Sequence, residues 1–140
     1  MRPDGVTVVN DAYNANPDSM RAALSALEAM SAGRRSWAVL GSMLELGEDS
    51  EAEHAQVGAF AAAHGVDELL VVGEVATPIA AGASGTGADG IRVRTVPDAE
   101  AAGAILSTEL RRGDVVLFKS SRDAGLRWLG ESVAGVEGGR

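Results

Sequence analysis

The chain has one lysine, Lys119, and it stands where the apolar run Val115 to Phe118 gives way to Ser120, Ser121 and Arg122. At a strand end leading into a helix, free backbone N–H groups and the positive end of the helix dipole would meet two hydroxyls and two cations. That is the composition of an anion site. An ordinary serine cap with solvated charges is the other reading of the same residues. A second polar cluster, Asn10-Asp11-Ala12-Tyr13-Asn14-Ala15-Asn16-Pro17, lies between another apolar run and a helix start. Turn formation and capping account for Asn16 and extend to Asn14, but they do not call for Asp11 and Tyr13. The third segment is Gly41-Ser42-Met43-Leu44-Glu45-Leu46-Gly47-Glu48. Its apolar residues between glycines suit either a loop that closes on something or a plain connector packed on the core.

Other chemistry is excluded by residue type or by context. The chain has no cysteine, which removes disulfides, thiolate zinc sites and cysteine nucleophiles together. His54 and His64 have no metal-ligand spacing and read as structural or surface residues. Gly85-Thr86-Gly87-Ala88-Asp89-Gly90 matches the letters of a dinucleotide fingerprint. The fingerprint must follow a strand and open a helix, however, whereas this stretch leaves a short helix and enters a strand, so it reads as a loop. The chain has no G-x-x-x-x-G-K-[ST] and therefore no P-loop of its own.

These segments need a frame. Val6–Asn10, Trp37–Gly41, Glu68–Gly73, Ile91–Val96 and Asp114–Lys119 read as strands. Helical patterns fall between them at Pro17–Ser31, Glu51–His64, Val75–Ala81 and Asp98–Arg111, with a last one at Arg122–Glu131. Asn16 before Pro17 and Asp98 after Pro97 are helix-start signals, and Gly33 and Gly65 are helix stops. Residues 82–90 read as a Gly-rich surface loop and 135–140 as a frayed tail. Leu69 to Val72 and Val115 to Phe118 are apolar on both faces, which requires helices on each side of the sheet. The expectation is one domain over residues 1–140: a Rossmann-like, doubly wound α/β fold with a mostly parallel sheet of five or six strands.

Composition bounds the partners. Twelve Lys and Arg against 20 Asp and Glu give a net charge of -8, which repels nucleic acid. No apolar run approaches the roughly 20 residues of a bilayer span, and the first residues have no signal-peptide core, so a cytoplasmic location without membrane insertion is expected.

Taken together, Asn10 to Met20, Val39 to Glu48 and Val116 to Arg122 resemble the C-terminal domain of the MurF family of Mur ligases. These are the UDP-N-acetylmuramoyl-tripeptide:D-alanyl-D-alanine ligases of peptidoglycan synthesis. The resemblance runs over nearly the whole chain in order and spacing, and the Tyr13-Asn14-Ala15-Asn16 stretch is its distinctive part. It implies the third domain of a three-domain, ATP- and Mg²⁺-dependent amide ligase, whose N-terminal domain holds UDP-MurNAc-tripeptide and whose central domain carries the P-loop and the magnesium sites. The tripeptide carboxylate is phosphorylated, and the amine of D-Ala-D-Ala then attacks it. Carried over residue by residue, Asp11 aligns with an aspartate that bonds the ATP ribose, with Tyr13, Asn14 and Asn16 beside it. Lys119, Ser121 and Arg122 align with the segment that helps hold the incoming amino acid, and the loop of Leu44 and Glu45 faces the same cleft. The resemblance assigns this domain no catalytic residue, no metal ligand and no tightly bound cofactor of its own. The family usually has Gly at the position of Ser120 and often Asp at that of Ser42, so Ser42 is not counted as a site. A stand-alone, non-catalytic α/β binding or regulatory module is the rival reading.

Overall fold

The computed structural model describes residues 5–11, 15–43, 46–85, 90–120 and 126–134. Five strands, β1 (Thr7–Asn10), β2 (Ser36–Leu40), β3 (Glu68–Val72), β4 (Arg92–Val96) and β5 (Val115–Lys119), form one sheet in the order β1-β5-β2-β3-β4. Every pairing among them is parallel. Five helices alternate with the strands: α1 (Pro17–Met30), α2 (Ser50–Ala63), α3 (Thr77–Ser84), α4 (Ala99–Glu109) and α5 (Leu126–Ala134). A 3₁₀ turn at Gly47–Asp49 leads into α2.

The alternation of side chains along each strand divides the core in two. Ala38, Leu40, Leu69, Val71, Val115 and Leu117 pack with Met20, Leu24 and Leu27 of α1, Val57 and Ala61 of α2 and Ile79 of α3. Their neighbours Trp37, Val39, Leu70, Val72, Val116 and Phe118 pack with Ala102 and Leu106 of α4 and Leu126 of α5. Strands β2, β3 and β5 are buried along their whole length, the condition that made them continuous apolar runs. β1 and β4 are the edges, and β4 carries Arg92 and Arg94, charges that discourage pairing with another chain.

The helix ends follow local chemistry. Asn16 caps α1 by accepting the Ser19 N–H at 2.8 Å, while the Ser19 hydroxyl accepts the Asn16 N–H at 3.0 Å. Asp98 caps α4 through the Ala101 N–H at 2.9 Å. Gly33 and Gly65 take φ of 77° and 78° just beyond α1 and α2. Most element ends fall within one or two residues of the sequence expectation, α5 runs to Ala134 rather than Glu131, and one difference has a packing cause. Residues 82–84 continue α3 rather than opening a loop, because Gly82 is the surface on which α2 lies: a Cβ there would strike the Ala55 carbonyl. The fingerprint-like glycines do fall between a helix end and a strand start, since Gly85 closes α3 and Gly90 precedes β4; residues 86–89 lie outside the described ones.

A charged network closes the end of the sheet where the strands begin. Asp114 accepts from Arg35 Nη2 at 2.7 Å, from the Trp37 indole N–H at 2.9 Å and from the Arg111 backbone N–H at 3.0 Å. The Arg35 guanidinium lies 4.9 Å from the Trp37 ring centroid and also donates to the Glu109 carbonyl at 2.7 Å. Buried Glu68 sits among Arg35, Arg92 and Arg94 at 3.6, 2.8 and 3.1 Å. Glu109 pairs with the last two at 2.6 and 2.8 Å. Its bond to Arg94 is the largest influence holding the Glu109 carboxyl below its ordinary range.

Candidate functional site

At β5 the strand order makes the chain leave the sheet in the direction opposite to both neighbours, as it does again between β3 and β4. β1 and β2 hand on to α1 and α2 on one face, whereas β5, inserted between them, hands on to α5 on the other. Helices that diverge from adjacent strands open a crevice beyond their carboxyl ends, the usual ligand position in open α/β sheets. The residues at that crevice are Asn10 and Asp11 at the end of β1, Lys119 and Ser120 at the end of β5, and Gly41 to Met43 after β2. Two backbone bonds draw the ends together: the Asp11 N–H donates to the Phe118 carbonyl at 2.9 Å, and the Gly41 N–H to the Lys119 carbonyl at 3.0 Å.

Asp11 and Lys119, 108 positions apart, meet there. Lys119 Nζ donates to Asp11 Oδ2 at 2.8 Å and approaches the Asp11 carbonyl at 3.4 Å. The two partners are unequal, since the lysine side chain is 3% exposed and the aspartate 50%. Asp11 Oδ1 accepts no hydrogen bond from any described residue. The arrangement is a half-exposed carboxylate presented at the crevice and held from below by a buried cation. An apolar cavity of about 310 Å³ opens beside it between β1 and α1, lined by Val9, Ala23, Leu27, Met30 and Leu117. Ser120, which follows β5, is fully buried.

The loop after β2 is fixed from α2. His54 is fully buried, its Nε2 accepts the Met43 N–H at 3.0 Å, and its Nδ1 lies 2.6 Å from the Ser50 carbonyl. Accepting at one nitrogen requires the proton on the other, so the ring is neutral with Nδ1–H donating to Ser50. The structural reading of His54 is therefore correct, and Met43, also buried, is held as part of the core. His54→Ala leaves the Met43 N–H buried without its acceptor, with an expected loss of about 1–3 kcal/mol in stability. Chemical denaturation measures the loss, and faster amide exchange at Met43 assigns it to this bond. His64, by contrast, is a surface residue stacked on Phe60 and 2.7 Å from Glu28.

Of the residues selected from the sequence, Asp11 and Lys119 are brought into contact at the crevice, and the Asn16 side chain is engaged in the α1 cap. Tyr13, Asn14, Leu44, Glu45, Ser121 and Arg122 lie outside the described residues. The pairing of Lys119 with Asp11 was missed. The only signal for it is that both follow strands, and which strands adjoin is not written in chain order. Among the described residues no group of three or more His, Asp or Glu is placed to hold a metal ion. No described helix is long and apolar enough to cross a membrane.

Comparison with known proteins bears on the same segments. Residues 1–122 match the model of the Mur ligase, glutamate ligase domain. The UDP-N-acetylmuramoyl-tripeptide--D-alanyl-D-alanine ligase of Mycobacterium tuberculosis strain H37Rv is 51% identical over 142 residues, covering 89% of this chain. The Bacillus subtilis ligase of the same name is 34% identical over 84% of the chain. Among solved structures, the MurF ligase of Thermotoga maritima in complex with ADP superposes with a TM-score of 0.73 at 30% identity, covering 94% of this chain. The chain spans only 28% of the length of the first and 26% of the second relative, and 28% of the solved chain.

Proposed function

The chain belongs to the Mur ligase family, as the C-terminal domain of a MurF, and on that premise we propose that it is the lid of an ATP-dependent ligase that joins D-alanyl-D-alanine to UDP-N-acetylmuramoyl-tripeptide. The observation that carries the reading is the crevice itself, where a half-exposed Asp11 carboxylate is presented between strands that diverge to opposite faces. A carboxylate with one oxygen engaged and the other open is a fitting acceptor for ribose hydroxyls, so the site suits the ribose of a nucleotide. ATP, when bound, supplies the phosphoryl group that activates the tripeptide carboxylate.

This domain's share is binding and positioning. Asp11 would hold the ribose, with Tyr13 and Asn14 alongside and Asn16 fixing the start of α1 beneath them. Ser121 and Arg122, following β5, would meet the carboxylate of the dipeptide, with the loop of Leu44 and Glu45 across the cleft. Closing the lid excludes water and places the amine for attack. The N-terminal and central domains of the ligase would supply the tripeptide site, the P-loop and the Mg²⁺ ligands, and the reaction would take place in the cytoplasm.

The test is a split of kinetic constants in the ligase formed with those two domains. Asp11→Asn keeps an acceptor for Lys119 and removes a charged acceptor from the ribose, so the KM for ATP should rise roughly 10- to 150-fold. Arg122→Ala should instead raise the KM for D-Ala-D-Ala. Loss of neither constant would leave the crevice without a nucleotide or a dipeptide and favour a binding module without catalysis. Asp11→Ala is a poorer probe than the sequence suggests, because it also takes a carboxylate partner from a buried ammonium and costs stability.

A further inference from the structure

We propose that Lys119 is a positioning residue for the nucleotide, acting through Asp11, and is not a ligand of the dipeptide. The resemblance groups it with Ser121 and Arg122, but its own contacts run to Asp11. Its side chain is almost fully buried, and its ammonium spans the crevice from β5 to β1, where it contacts both Oδ2 and the main-chain carbonyl of Asp11. Contacting the side chain and the backbone of one residue fixes its rotamer and the path of the strand exit together. β1 needs that restraint, since it is an edge strand with only β5 beside it, and the Asp11 N–H makes the last ladder bond to β5.

The inequality of the pair gives the direction of the effect. An exposed Lys–Asp pair is a weak, screened contact. Here the cation is buried and the anion half-exposed, so the lysine is the fixed member and the carboxylate is the member offered outward. Engaging a dipeptide carboxylate would require a buried ammonium to leave or share its counter-ion, which is unfavourable in a desolvated site. Removing Lys119 should therefore act where Asp11 acts. This inference rests on the reading of Asp11 as the ribose acceptor.

The experiment is a double-mutant cycle in the assembled ligase, with Lys119→Met, Asp11→Asn and the double variant, varying ATP and D-Ala-D-Ala separately. Methionine fills a similar volume without burying a charge, and removing a buried ion is better tolerated than isolating one. Lys119→Met should raise the KM for ATP about 5- to 30-fold. The dipeptide constant should stay within about two-fold, and the double variant should be no more than about two-fold worse than Asp11→Asn alone. Lys119→Arg, which keeps the cation, should recover part of the ATP constant and serves in place of Lys119→Met if that variant does not fold. A selective rise in the dipeptide constant, or effects that multiply in the double variant, would overturn the proposal. An Asp11→Asn effect on ATP that Lys119→Met fails to share would overturn the positioning role alone. No Asp11→Asn effect would remove the ribose reading, and the proposal with it.

Discussion

Asp114→Ala is expected to lower the unfolding free energy by about 3–5 kcal/mol, a large part of the roughly 5–15 kcal/mol that holds a domain together. The side chain is 5% exposed and is the common acceptor for Arg35, the Trp37 indole and the Arg111 backbone. Truncation leaves a partly buried guanidinium without its closest counter-ion and the indole N–H buried without an acceptor. Asp114→Asn separates the two effects, since an amide oxygen can still accept one of those bonds while the charge is gone. Urea unfolding at neutral pH measures both variants, and a loss under about 1 kcal/mol for the alanine variant would mean that the network is ornamental.

The same residue gives the network a pH dependence of known sign. Burial alone would push the Asp114 carboxyl up; the hydrogen bonds from Arg35, the Arg111 N–H and the Trp37 indole together outweigh it and hold the group below its ordinary range. A carboxyl depressed in the folded state contributes its full stability above its unfolded value of about 3.9 and loses it as pH falls through the folded value. The gap between the parent and Asp114→Ala should therefore be constant near neutrality and narrow below about pH 4. A gap that instead widened in acid would reverse the assignment.

What was legible in the sequence, and what was not, follows from the range of the forces involved. The strands announced themselves because a parallel sheet covered on both faces needs runs such as Leu69 to Val72. The ends of α1 and α4 announced themselves because Asn16 and Asp98 act on backbone groups three residues away. Longer-range features did not. β5 inserts between β1 and β2, and only that insertion brings Lys119 to Asp11 and Asp114 to Arg35. Glu68, Arg92 and Arg94 fall within the stretches that read as strands, and their mutual pairing depends on β3 and β4 running side by side. The candidate site was legible as three polar segments at strand ends, while the division of labour inside it depended on which ends adjoin.

Gly58→Ala is expected to cost about 3 kcal/mol or more, at the upper end of overpacking effects, although alanine is the better helix former by about 1 kcal/mol. The two glycines at the α2–α3 crossing face opposite backbones: a Cβ on Gly58 would strike the Ile79 carbonyl, as one on Gly82 would strike that of Ala55. No rotamer change relieves a methyl group pressed on a carbonyl, so the helices must separate and open the core around Val57, Ala61 and Ile79. The displacement should reach the crevice, because α2 also carries His54, whose Nε2 holds the Met43 N–H in the loop after β2. Thermal and urea unfolding give the stability loss, and the Met43 amide exchange rate reports whether that loop loosens with it. A variant as stable as the parent would show that the helices need not meet this closely. A destabilised variant with an unchanged Met43 amide would confine the damage to the helix pair and leave His54 as an independent anchor.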